Sequence, residues 1–294
     1  MSTLLRRISV SLTGSSVLDL GRVRTNQEDA VLVDLRRQVI AVCDGMGGCD
    51  HGEAASGSLV KLIQASALPK GPLWRLRRAL RKTPPGAIQG KVEQWVQSLG
   101  TRLKSELDTT YGFNRKYYGT TLALATIIYL EAKPHWLVIW VGDSRAYLKR
   151  RGKAAAIPLS RDHSLVQALI DSGCVNQTAA CISAHRSVLW AGLPNYEDGE
   201  PVGFRMAEVW DGDKLLLTSD GLTDDLMHPT LRWKREDYYT RSSIGKLMAG
   251  NNTAAAIFAA HQKRIRARRF VLCSGQDNYG LVLVTASVSP GRSK

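Results

Sequence analysis

The sequence predicts an α+β fold built on antiparallel strands, and three observations lead there. Two apolar runs, TLALATIIYL and HWLVIWV, are separated by a short turn at Lys133-Pro134, the pattern of an antiparallel hairpin. Two other segments, Gly52 to Ala67 and Ile88 to Leu107, have helical spacing, and the second places Val92, Trp95, Val96, Leu99 and Leu103 on one face. Three strand-like runs, the second of the hairpin among them, deliver an acid at their ends: Val39–Cys43 before Asp44-Gly45, Leu137–Val141 before Gly142-Asp143, and Leu215–Thr218 before Ser219-Asp220-Gly221.

Two more acidic sites precede strands instead, with Glu28-Asp29 ahead of AVLVDL and Asp277-Asn278 ahead of YGLVLVTA. A single Asp-Gly after a strand is an ordinary turn. Five strand-end acids suggest a cluster, and carboxylates gathered at one rim repel each other at neutral pH unless cations share them. Oxygen-only ligands of this kind suit Mg2+ or Mn2+. In the stretch VIAVCDGMGGCDHGEAAS the strand meets a Gly-rich turn and then a helix, and glycine permits the close backbone approach such a turn needs.

Taken in order, Ser9 to Leu20 alternates loosely and suits an edge strand. The polar loop Gly21 to Asp29 follows, holding Arg22 and Arg24; beside a carboxylate–metal cluster an arginine fork matches two phosphate oxygens. After the helix at 52–67, the region 69–87 is expected to be a basic connection between helices, with WRLRRALRK bracketed by Gly71-Pro72 and Pro84-Pro85. Beyond the hairpin, Ala146 to Lys149 starts a further strand. Residues 158–195 are expected to form a mobile insertion containing one short helix with a Gly stop. Thr253 to Arg269 is a late helix, capped by Asn252 or Thr253 and ending in basic residues that suit a helix C-terminus. The last strand is Gly280 to Ala286, and Ser287 to Lys294 is expected to fray.

Composition bounds the class. A chain of 294 residues, 44% hydrophobic and 22% charged, has the make-up of a folded protein with a large core. Its net charge of +14 attracts polyanions, anionic membranes or acidic protein segments without choosing among them. The five cysteines, Cys43, Cys49, Cys174, Cys181 and Cys273, contain no C-x-x-C pair, and Cys43 lies in an apolar run, so a reduced, cytoplasmic setting is expected rather than a disulfide framework or zinc site. No apolar run reaches the length of a membrane span.

The motifs, in order, are VRTNQEDA (Val23–Ala30), DGMGG (Asp44–Gly48), Gly52-Glu53, GTT (Gly119–Thr121), VGDSRAYL (Val141–Leu148), DHSLV (Asp162–Val166), SDGLTD (Ser219–Asp224) and Asp277-Asn278. With this set the chain resembles the metal-dependent protein phosphatases of type 2C in their bacterial form, over nearly its whole length. The resemblance implies a single domain over 1–294: two antiparallel β-sheets packed as a sandwich with helices on both outer faces. It implies that Asp44 bridges two ions, that the Gly45 carbonyl, Asp220 and Asp277 complete the pair, and that Asp29 and Glu28 act mostly through water. By the same resemblance Asp143 is a ligand of a third, looser site, Arg24 binds the substrate phosphate, and Asp162 to Gly192 is a flap beside the site. The implied reaction is hydrolysis of phosphoserine and phosphothreonine in proteins, opposing a bacterial Ser/Thr kinase, by attack of a water whose pKa two bridging Mg2+ or Mn2+ ions lower.

Some residues depart from the family pattern. Met46 stands where many eukaryotic members carry a His, Cys49 where bacterial relatives often have His, and Asn278 is followed by Tyr279-Gly280. His51 is either a displaced acid or a solvated loop residue. The alternative reading is a catalytically inactive phosphatase fold that binds a phosphoprotein or acidic partner, against which the intact set Asp44, Gly45, Asp220 and Asp277 argues. A nucleic-acid binder rests on charge alone, since no stacking aromatics interleave the basic runs, and no nucleic-acid partner is expected. A monomer is expected.

Overall fold

The computed structural model describes residues 8–46, 51–112, 118–176, 183, 185, 187–194, 202–226, 241–267 and 277–290. Ten strands form two antiparallel sheets. One has the order β1 (Ile8–Asp19), β10 (Tyr279–Pro290), β9 (Lys214–Thr218), β6 (Arg145–Lys149), β7 (Ile157–Pro158); the other runs β2 (Asp29–Asp34), β3 (Val39–Asp44), β4 (Leu122–Leu130), β5 (Lys133–Val141), β8 (Gly203–Glu208). The expected hairpin is β4–β5, but the next strand, β6, crosses to the opposite sheet and pairs with β9.

The central strands are apolar on both faces because both faces are covered. Ile40 and Val42 of β3, Val138 of β5, Leu215 and Leu217 of β9, and Val282 and Val284 of β10 meet between the sheets. The intervening residues face outward. Val39, Ala41 and Cys43 pack under α1 (Gly52–Ser66), α2 (Pro72–Leu80) and α3 (Ile88–Tyr111). Leu216, Leu281 and Leu283 pack under Ile244, Leu247 and Met248 of α6 (Arg241–Gly250) and Ile257 of α7 (Ala254–Ala267). The result is the helix–sheet–sheet–helix stack expected of the sandwich.

Three local expectations change. The basic stretch at 69–87 is no open connection: Pro72 sits at the first turn of α2, and Leu73, Leu76 and Leu80 recur at helical spacing and bury against the core. Arg77 of that helix donates to the carbonyls of Ile127 and Arg37. The start of the frayed tail is instead paired, since β10 continues to Pro290 and Ser287 to Ser289 lie opposite Ser11 to Ser9 of β1. The insertion at 158–195 is anchored at its described edges. Asp162 is buried in an ion pair with Arg145, whose Nε lies 2.9 Å from Oδ1. α4 (Leu165–Asp171) is capped by Ser164, and Leu193 exchanges both backbone hydrogen bonds with Thr120.

Other expectations hold. β1 is an edge strand. Thr253 caps α7 by accepting from the Ala256 N–H at 3.1 Å; Arg268 and Arg269 lie outside the described residues. No described helix is long and apolar enough to cross a membrane.

Candidate functional site

Strand register decides where the acids go. Alternation along β3 puts Ile40 and Val42 between the sheets, so Asp44 points to the same side at the open end. On β2, Val31 and Val33 do likewise, and Asp29 pairs directly with Asp44. In the other sheet the inward positions beyond Leu217 and before Val282 are Ser219 and Gly280, at that same end. Acids that follow one strand and precede the next therefore arrive at one rim because the neighbouring strands are antiparallel.

The backbone at Asp44 is gripped from several sides. Its N–H donates to Thr121 Oγ1 at 3.0 Å, and its carbonyl accepts from Thr121 N–H at 2.8 Å and Thr120 Oγ1 at 2.9 Å. The Gly45 N–H donates to the Glu28 carbonyl at 3.0 Å, and Ser56 Oγ donates to that carbonyl at 2.6 Å. A Cβ on Gly45 would lie 2.5 Å from the Gly52 carbonyl group and 2.8 Å from the Glu28 oxygen, so only glycine fits. Met46 lies in a slot walled by glycines: a Cβ on Gly119 would stand 2.8 Å from its sulfur, and one on Gly192 1.8 Å from its methyl.

The remaining acids arrive on short arms. Asp220 opens α5 (Asp220–Leu226), and α5 closes on the Asp277 arm so tightly that a Cβ on Gly221 would sit 2.1 Å from the Asn278 carbonyl oxygen. Asp277 accepts from Asn278 N–H at 2.8 Å and from Arg24 Nη2 at 2.9 Å. Asn278, buried, accepts from the Glu28 N–H at 2.8 Å and donates to the carbonyls of Leu20 and Asn26. Asp143 follows β5 through Gly142, whose φ of +92° only glycine adopts readily. Arg24 bridges the rim, with Glu28 4.0 Å from its second fork nitrogen.

The crowding has electrostatic consequences. Burial pushes the Asp44 carboxyl well above its ordinary range, and repulsion from Asp29, Asp220, Asp143 and Asp277 adds to it. Asp29 is raised to about 7, mostly by burial, although Ser219 Oγ donates to its Oδ2 at 2.7 Å. Glu28 is raised by burial against the pull of Arg24. Arg24 is raised by its bond to Asp277.

These residues fit hard divalent cations. Every side-chain donor is a carboxylate oxygen, and Asp29 Oδ1 is buried with no hydrogen-bond partner. Among the described residues, no three His, Cys, Asp or Glu groups already close on one point, so the acids line a rim rather than a finished cage.

The site residues inferred from sequence, Glu28, Asp29, Asp44, Gly45, Asp143, Asp220 and Asp277, thus lie at one end of the sandwich with Arg24. Ser219, Thr121 and Ser56 carry supporting roles that sequence reasoning did not assign. The motifs SDGLTD and GTT held the first two, but which hydroxyl bonds which acid depends on sheet register. His51 stacks on Tyr111 with ring centroids 4.1 Å apart, and Cys49 lies outside the described residues.

The sequence pattern of the protein phosphatase 2C family matches residues 22–249. The chain belongs to that family. It is 31% identical over 229 residues to the serine/threonine protein phosphatase PstP of Mycobacterium tuberculosis, covering 76% of this chain and 39% of that one. It therefore spans about two fifths of the length of that relative. The serine/threonine phosphatase Stp of Listeria innocua is 29% identical over 211 residues, which are 70% of this chain and 76% of the relative. The fold agrees with the crystal structure of M. tuberculosis PstP (TM-score 0.68, 24% identity, 94% of this chain and 98% of that one). It also agrees with that of the PstP catalytic domain in complex with two manganese ions (TM-score 0.66, 22% identity, 95% and 100%).

Proposed function

We propose that this family member is a metal-dependent phosphoserine/phosphothreonine protein phosphatase whose centre is the acid rim around Asp44. The observation that carries this reading is the crowding itself: Asp44 is repelled by four other carboxylates, an arrangement that costs stability in the absence of cations. The phosphatase relatives, and the two manganese ions in the PstP catalytic domain, support it.

Asp44, with the Gly45 carbonyl, Asp220 and Asp277, would hold two Mn2+ or Mg2+ ions; Glu28 and Asp29 would act from the next layer through water, and Asp143 would serve a third, looser site. Cations so held supply an activated water and neutralise phosphoryl oxygens.

The chain's own residues do the rest. Arg24 is 38% exposed at its side chain and presents its fork at the rim, where it would bind two oxygens of the phosphate. Its bond to Asp277 sets the fork beside the acids of the rim. Thr120 and Thr121 fix the Asp44 backbone, and Ser219 and Asn278 hold Asp29 and Glu28 in place, so the rim is preorganised. The described edges of 158–195, joined to Thr120 through Leu193, would set substrate preference as a flap. Phosphoproteins made by a bacterial Ser/Thr kinase are the proposed substrates, and the setting is a cytoplasmic signalling one, consistent with buried, unpaired Cys43.

The test is phosphate release from a phosphothreonine peptide with Mn2+, with Mg2+ and with EDTA. Metal-dependent release that Asp44→Asn abolishes is expected. Peptide binding without release, in both metals, would leave the inactive binding module standing.

A further inference from the structure

The acid rim lies at one end of the β2–β3 ladder, and a second charged feature lies at the other. Residues 35–38 join the two strands beyond the Asp34–Val39 pair, five rungs from Asp29–Asp44, or roughly 17 Å of strand. There the turn and α2 border an open pocket of about 350 Å³ whose lining includes Arg36, Arg37, Arg77, Arg78, Arg81 and Trp74, and no residue of the rim contributes to it.

The charge is unbalanced. Among the described residues the one acid in an ion pair with these arginines is Asp34, 2.7 Å from Arg37 Nη1, which leaves four of the five positive charges without an ion-pair partner. Arg77 is spent on structure, donating to the carbonyls of Ile127 and Arg37 and so locking α2 to the turn and to β4. Burial and the neighbouring Arg81 push its guanidinium below its ordinary value, as expected where like charges crowd. Arg78 lies over the Trp74 ring at 4.7 Å and Arg81 over Tyr129 at 5.6 Å, so both forks are braced by aromatic faces while their N–H edges stay available. Arg36 is exposed on the turn.

Planar forks match phosphate oxygens two at a time. A small concave space ringed by arginines, of which Arg36, Arg78 and Arg81 are exposed and make no ion pair among the described residues, suits a compact anion of high charge density. An acidic peptide spreads its charge at about 3.3 Å per residue and would meet only part of that ring. We propose that this pocket is a second phosphoanion site, separate from the rim, that takes two adjacent phosphoryl groups. The pyrophosphate unit belongs either to inorganic polyphosphate or to a nucleoside diphosphate.

The experiment is calorimetric titration of the full chain with inorganic pyrophosphate, in EDTA and at fixed ionic strength, so that metals neither chelate the probe nor load the rim. The wild type is expected to bind one equivalent. Arg36→Gln/Arg78→Gln/Arg81→Gln should weaken binding at least tenfold, and Arg24→Ala should leave it unchanged. Should the triple variant fail to fold, Arg36→Gln alone carries the test and is expected to weaken binding severalfold, since Arg36 makes no ion pair or hydrogen bond of its own among the described residues. No heat at millimolar pyrophosphate, unchanged affinity in the arginine variants, or a loss confined to Arg24→Ala overturns the proposal, as does equal affinity for monophosphate. Triphosphate binding at least as tightly as ADP assigns the unit to inorganic polyphosphate; ADP binding more tightly than both pyrophosphate and triphosphate assigns it to a nucleotide.

Discussion

Asp29 and Asp44 stand directly opposite each other at the last rung of the β2–β3 ladder, two carboxyl groups on one side of the sheet with the Ser219 hydroxyl donating to Asp29. Because Asp29 is raised to about 7 from an ordinary value near 4, the folded state holds protons that the unfolded chain has already released. Stability from this source is complete below the ordinary carboxylate range and is lost as pH rises toward 7. Metal-free protein in EDTA should therefore lose up to about 4 kcal/mol between pH 4 and 7.5 from Asp29. His163, lowered by burial to about 4, works in the opposite sense over much of that window. The comparison that isolates the pair is urea unfolding of wild type and Asp29→Asn, and equal pH slopes would contradict it.

Asp44→Asn and Asp220→Asn should each abolish metal-dependent turnover. Both should leave the metal-free protein folded and at least as stable, since each removes one charge from a repelling set. Retention of more than about a tenth of wild-type turnover at saturating Mn2+ would count against a two-ion centre.

Arg24→Ala should raise KM for a phosphopeptide about 10- to 100-fold, the loss of one charge-assisted contact, with a smaller change in kcat. An unchanged KM would remove Arg24 from phosphate binding and point to Arg22.

Two glycine substitutions should separate. Gly45→Ala drives a Cβ into backbone atoms of Gly52 and Glu28, which cannot swing aside, and should cost about 1–3 kcal/mol together with activity. Gly192→Ala clashes with the flexible end of Met46 and otherwise stands at ordinary distance from the Thr120 carbonyl, so stability should change less while Met46 is pushed out of its slot. Thermal melts and peptide kinetics on both variants test the contrast, and similar melting losses would refute it.

Arg145→Ala leaves the Asp162 carboxylate buried without its partner and should destabilise by about 3–5 kcal/mol. Arg145→Met/Asp162→Leu should recover much of that loss in the same urea titration. No recovery would mean that the pair does more than satisfy its own charges.

Much of this was legible in the sequence because two-sided burial leaves a strong mark. Val39–Cys43 and Leu215–Thr218 are continuous apolar runs that end in an acid, and both proved to be central strands. The strands that begin after an acid, at Asp29 and Asp277, are their antiparallel neighbours. What escaped was pairing at a distance. No local signal tells Ser219 that it will bond Asp29 across 190 positions, or sends β6 to the sheet opposite the hairpin it follows. The 69–87 stretch misled for a different reason: its arginines and prolines resemble a linker, whereas Leu73, Leu76 and Leu80 already had helical spacing beneath them.

The long pairing of β1 with β10 has a consequence for how the protein is made. Arg24 follows the end of one strand and Asp277 precedes the start of the other, so residues far apart in sequence meet at the rim. A ribosome releases the early strands well before the last acid exists, and a chain ending before 277 lacks both the strand that closes its first sheet and the partner of Arg24. A premature stop late in the message should therefore yield a β1 without its neighbouring strand and a rim without Asp277.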